Sequence, residues 1–87
     1  MTDDVESRRR RDAFRAGHRG TKEMDWLLGR FAAARLPAMT LVGLTQFEQL
    51  LLMPDPELHD MIMHPDIAPA GEYAHLVAQL RIFHGLE

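Results

Sequence analysis

The sequence predicts an all-α protein, a small bundle of about five short helices, and three observations carry that expectation. Apolar residues recur at i, i+3, i+4 and i+7, the spacing of one buried helical face. Capping residues, prolines and glycines stand where such segments should begin and end. No stretch alternates apolar and polar residues for long enough, between turn residues, to read as a strand.

Thr2 or Asp3 can cap a first helix, at about 3–16. Asp3, Asp4 and Glu6 are then favourable charges at the positive end of its dipole, and Gly17 can end it. Met24, Leu27, Leu28 and Phe31 give the second helix, at about 21–35, a single apolar stripe. It should stop before Pro37, which disfavours the helical conformation at Leu36. Thr40 can cap a third helix that buries Leu44, Phe47, Leu50 and Leu51, although Val42 and Gly43 weaken its first turn. In Met53-Pro54-Asp55-Pro56-Glu57, Asp55 is a candidate cap and Pro56 a first helical residue, opening a short fourth helix at about 56–63. Pro65 and Pro69 bracket a loop. Tyr73, Leu76, Val77 and Leu80 then repeat the stripe in a fifth helix reaching about Phe83. Connections of this length suit one helical domain over residues 1–87, with 1–6 and 85–87 as candidates for disorder.

The composition agrees with a folded domain. Hydrophobic residues make up 46% of the chain and charged ones 26%, which is ordinary for a globular protein. A chain of this size buries only about 60–65% of its unfolded surface, so the core is modest. Without cysteine, a disulfide scaffold, a thiolate metal site and a thiol nucleophile are all excluded. No apolar run approaches the roughly 18 residues of a membrane span. Met1-Thr2-Asp3-Asp4 is acidic where a signal peptide would be basic, so the expectation is a cytoplasmic protein not inserted in a membrane.

The net charge of -3 is unevenly distributed. Residues 1–22 carry seven basic side chains against four acids, a net +3, and the remaining 65 residues carry a net -6. A basic element on an acidic body suggests an oriented contact with a partner.

The motifs of catalysis are missing. His18, His59, His64, His75 and His84 lack the i, i+3 or i, i+4 spacing of helical metal ligands. Ser7, the one serine, lies among arginines without a nucleophile elbow. The six glycines form neither a dinucleotide fingerprint nor a phosphate loop. The expectation is therefore a protein that is not an enzyme, with no catalytic residue, no metal and no cofactor stably bound by itself. The run Arg8 to Arg11, continued by Arg15 and Arg19, motivates a nucleic-acid-binding alternative. A pI of about 5.9 argues against it, as does the scatter of successive arginines around a helix. A solvated face, or one that docks an acidic partner, explains the run better, and a generic helical adaptor is the third alternative.

The most informative stretch is Arg19-Gly20-Thr21-Lys22-Glu23-Met24-Asp25. A structural reading puts Gly20 at the cap of the second helix, with Glu23 completing a capping box and Asp25 favouring the dipole. A functional reading notes that glycine forgoes the side-chain cap that serine or aspartate would provide. It leaves bare backbone between Arg19 and Glu23, suited to close approach by another protein.

Together with three motifs further along the chain, this stretch resembles the SdhE family. The residues are Arg19, Gly20, Glu23 and Asp25; Leu36-Pro37; Phe47-Glu48-Gln49-Leu50-Leu51; and Pro54-Asp55-Pro56-Glu57-Leu58. The resemblance covers about 8–63, with a compatible last helix. It implies a five-helix bundle that binds the flavoprotein subunit of succinate dehydrogenase, or in some bacteria of fumarate reductase. It further implies promotion of covalent FAD attachment to a histidine of that subunit, so that FAD is handled on the partner. Arg19, Gly20 and Glu23 carry over as the contact, with Asp25 and His18 beside them. His18 stands where a second arginine often precedes the Arg-Gly pair, which would weaken docking or make it pH-sensitive. His59 and Met61 also depart from a segment that often holds a tryptophan, and Leu41-Val42-Gly43 from an acidic helix start.

Overall fold

The computed structural model describes residues 4–64, 66 and 73–86. Its helices are α1 (Val5–Gly17), α2 (Lys22–Arg35), α3 (Leu41–Leu51), α4 (Asp55–Met63) and α5 (Tyr73–Phe83), with a 3-10 turn at Leu36–Ala38. The five-helix, all-α expectation is met, and no strand occurs among the described residues. None of these helices is long and apolar enough to cross a membrane.

The caps correct the sequence reading in detail. Asp4, rather than Thr2 or Asp3, caps α1, its carboxylate accepting from the Ser7 amide at 2.7 Å. Residues 1–3 lie outside the described residues, as do the two prolines expected to bracket the loop before α5. Gly17 stays helical and His18 is the C-terminal cap. Thr21, not Gly20, caps α2, because its hydroxyl can accept from the Met24 amide and a glycine has nothing to offer. Leu36 remains helical (φ -57°, ψ -40°) despite Pro37: the chain tightens into a 3-10 turn whose first residues tolerate a missing N–H. Thr40 caps α3 as expected, accepting from Gly43 at 3.1 Å. Pro54, not Asp55, holds the cap position of α4, which frees the Asp55 carboxylate for another partner.

Most of the core comes from α2 and α3: Met24, Leu27, Leu28, Phe31 and Ala32 meet Leu44, Phe47, Leu50 and Leu51. Leu58 and Ile62 of α4 and Leu76, Val77 and Leu80 of α5 close it. Phe31 sits at the centre, its ring 6.0 Å from Phe47 and edge-on to Phe83 at 5.6 Å. Burial of such side chains, at about 1.5–3 kcal/mol each, is the main stabilising term.

The arginine-rich α1 buries only Ala16 and Asp12 fully, and is attached in a different way. Where it crosses α2, small residues let the backbones approach: a Cβ on Gly29 would come within 3.1 Å of the Gly17 Cα. Elsewhere polar groups hold it. Arg8 donates to both carboxylate oxygens of Glu48, at 2.6 and 3.1 Å, and to the Thr45 hydroxyl at 3.1 Å. Arg9 reaches the Met39 carbonyl at 2.9 Å, and Arg11 reaches Glu48 at 3.3 Å. Part of the charge asymmetry is therefore consumed inside the molecule, where basic α1 docks on an acid of α3.

Beneath these arginines lies Asp12, 0% exposed, with neither carboxylate oxygen receiving a hydrogen bond. Burial, followed by the adjacent Glu48, pushes its carboxyl up to about 7. Glu48 moves the other way, to about 2, chiefly because Arg8 donates to it. The pair is satisfied when Asp12 keeps its proton and donates it to Glu48.

Candidate protein-docking site

The Arg-Gly turn lies between α1 and α2, and its shape is set by two residues that face inward. Asp25, one turn into α2, reaches back so that Oδ1 accepts from the amides of Arg19 and Gly20, the latter at 3.2 Å. This is the reach-back that the sequence assigned to Glu23. Asp25 makes it because, with Thr21 as the cap, Glu23 points along the outer side of the helix start and Asp25 falls beneath the turn.

Arg19 likewise serves the fold. Its side chain is 10% exposed, and Nε and Nη2 both donate to Asp55 Oδ1, at 2.8 and 2.7 Å. Nη1 donates to the Leu51 carbonyl and Nη2 to that of Met53, at 2.6 Å. One guanidinium therefore caps the C-terminal end of α3, whose last carbonyls lack helical partners, and holds the carboxylate that begins α4. Arg19 thus pairs with Asp55 and not with Glu23, four residues on along the chain. Arg81 does a parallel job at the other end of α4, donating to the carbonyls of Ile62 and, at 2.8 Å, Leu86.

Gly20 and Glu23 face outward. Gly20 has φ 112°, a conformation that favours glycine, and no atom lies within 4 Å of where a Cβ would stand. Its bare backbone is fixed below by Asp25 and open above. Glu23 keeps an exposed carboxylate, with His59 Nε2 of α4 3.0 Å from Oε1, a distance that makes an ion pair when the imidazole is protonated. His18 stacks on Phe14 with ring centroids 4.0 Å apart, its Nδ1 2.7 Å from the Phe14 carbonyl.

Two open clefts adjoin this turn and share Asp55. One, of about 460 Å³, has Glu23, Pro56, His59 and Asp60 in its wall. The other, of about 570 Å³, is lined by Phe14, His18, Arg19 and Leu52 among others. Phe14 at 64% exposure and Leu52 at 71% are large apolar side chains left in water beside the motif. Sequence reasoning missed both, since each occupies a position off the helical stripes that mark the core. It also missed Asp55 as the partner of Arg19, 36 residues away. Among the described residues no group of three or more histidines and acids is placed to hold a metal ion.

Residues 10–84, running from within α1 past the end of α5, match the Sdh5 family, described as the flavinator of succinate dehydrogenase. The chain belongs to this SdhE/Sdh5 family. A relative from Acetobacter pasteurianus named FAD assembly factor SdhE is 52% identical over 60 residues, covering 69% of this chain and 55% of that protein. The chain thus spans a little over half the length of that relative. No solved structure matches it. The SdhE/Sdh5 match includes the whole Arg19 to Asp25 segment, so the motif that suggested the family lies within the part that belongs to it.

Proposed function

We propose that this chain is an assembly factor that docks on the flavoprotein subunit of succinate dehydrogenase and promotes covalent attachment of FAD to it. The observation that carries this reading is the family match over residues 10–84. The turn geometry supports a docking role: Arg19 and Asp25 build the turn, while Gly20 and Glu23 are left outward.

FAD is the substrate of the reaction and is held by the flavoprotein. On this chain the clefts beside the motif are open and its glycines form no phosphate loop, a poor fit to a dinucleotide. The chain acts by position. A flat glycine backbone admits a partner's backbone closely, and the outward Glu23 carboxylate sets the orientation through a donor on that partner. Held this way, the flavoprotein presents its histidine to the flavin methyl, and the bond forms on the flavoprotein. The factor is a chaperone rather than a catalyst.

Substituting Gly20→Arg or Glu23→Ala tests the reading, since both sites are exposed and neither change removes a core contact. Each variant should fail to co-purify with the flavoprotein, and cells carrying it should lose covalent flavin fluorescence in denaturing gels. Normal flavinylation with both variants would sink the proposal.

A further inference from the structure

Arg30 and Arg35 of α2 are unlike Arg8, Arg9 and Arg11 of α1, each of which pairs with a carboxylate. Neither has a carboxylate partner among the described residues; each lies over an aromatic ring instead, Arg30 at 5.6 Å from the Trp26 centroid and Arg35 at 5.4 Å from that of Phe83. They stand on a body whose last 65 residues carry a net -6, where acids are abundant. Leaving two guanidiniums unpaired there holds their charge available to something outside the molecule.

Beside Arg30 runs an open groove of about 670 Å³ lined by Trp26, Arg30, Ala33, Ala34, Phe83 and His84, and Arg35 stands at its margin, over the Phe83 ring that forms part of the wall. Ala33 and Ala34 give it a low floor. Trp26 is 49% exposed, and its ring is set by His84, 4.7 Å away, whose Nε2 is in turn 2.7 Å from the Leu27 carbonyl. A rigid aromatic wall beside unpaired arginines is the composition of interface anchors. The groove also continues from the motif. Glu23, Trp26, Arg30 and Ala34 follow one another at i+3, i+4 and i+4 along α2, so they share one helical face.

We propose that this groove is a second docking surface for the same flavoprotein, taking an acidic segment of it whose carboxylates pair with Arg30 and Arg35 while an apolar side chain packs on Trp26. This rests on the function proposed above. The occupant is acidic by charge complementarity, and it is the same partner by continuity of the surface along α2.

Trp26 is the one tryptophan of the chain, which makes the groove directly observable. The full chain carrying 5-fluorotryptophan should show its single fluorine resonance shift when unlabelled flavoprotein subunit is added. Arg30→Gln/Arg35→Gln should weaken binding about 10-fold, charge reversal of both more, and either change should flatten the salt dependence of affinity. Circular dichroism and thermal melting should be unchanged, because both side chains are exposed. If the parent chain binds, Gly20→Arg abolishes binding, and the arginine variants bind as tightly as the parent, the groove proposal is overturned and the motif reading stands. If the parent chain does not bind the flavoprotein, both fall. A resonance that ignores the flavoprotein but moves with RNA, or with the concentration of the chain itself, overturns the proposal in favour of nucleic acid or a second copy.

Discussion

Arg19 and Asp55 are joined by two hydrogen bonds to one carboxylate oxygen, Nε at 2.8 Å and Nη2 at 2.7 Å, while the same guanidinium caps two carbonyls at the end of α3. The arginine of the docking motif is thus a clamp on α3 and α4. Arg19 is thereby committed to the fold, whereas Gly20 and Glu23 are exposed, so on the proposed function docking is inseparable from fold stability at the first residue and separable at the other two.

Arg19→Ala should therefore lower unfolding stability by about 2–4 kcal/mol, because it leaves a part-buried carboxylate and two carbonyls without their donor. Urea unfolding checks this. Arg19→Lys should recover only part of the loss, since an ammonium cannot reproduce the planar fork.

Glu23→Ala should behave oppositely. Its carboxylate is exposed and, among the described residues, its close partner is His59, so stability should change by less than about 1 kcal/mol. At Gly20→Arg the added Cβ meets no atom, and the cost is that of a side chain held at φ 112°, about 1–3 kcal/mol. Thermal melts of both variants, run beside the binding assay, would show folded proteins that no longer dock.

The Asp12–Glu48 pair gives the molecule a defined pH response. Asp12 has a folded value raised to about 7, so as pH rises from the ordinary carboxylate range to 7 the unfolded chain loses this proton first and stability falls. Glu48 is lowered to about 2, so its contribution is present above the ordinary range and lost as pH falls toward 2. Stability attributable to the pair should peak near pH 4–5. Asp12→Asn, which keeps a donor to Glu48 and removes the charge, should flatten the fall between pH 5 and 7 and stabilise the protein at pH 8, as read by chemical denaturation.

The crossing of α1 and α2 is tight enough to be tested by one side chain. Gly29→Val places a branched side chain where a Cβ alone would stand 3.1 Å from the Gly17 backbone, and should cost about 1–3 kcal/mol in a melt. Gly17→Ala, with nothing within 4 Å of its Cβ, should be tolerated.

The helices were legible in the sequence because the periodicity of Met24, Leu27, Leu28 and Phe31, and of the later stripes, reflects a burial pattern that the structure reproduces. The caps were less legible. Thr21 and Gly20 are neighbours that both suit a helix start, and only the hydroxyl bond to Met24 decides between them. The site was legible as a motif but not as a division of labour. Arg19 looked like a contact because a guanidinium at a loop is usually wet, and its clamp depends on Asp55 and on carbonyls more than 30 residues away. Asp12 gave no signal at all: an acid within an arginine run reads as a surface charge until the packing of α1 on α3 buries it.

If Gly20 and Glu23 present the surface through which a flavoprotein is made ready for its own covalent bond, reconstitution measures that role most directly. Purified flavoprotein subunit lacking covalent flavin is incubated with FAD and this chain, and protein-bound flavin is counted after denaturation. The docking mechanism predicts that the parent chain and Lys22→Ala raise the covalent yield, whereas folded Gly20→Arg leaves it at the level without any factor. Equal yields from Gly20→Arg and the parent chain would contradict it.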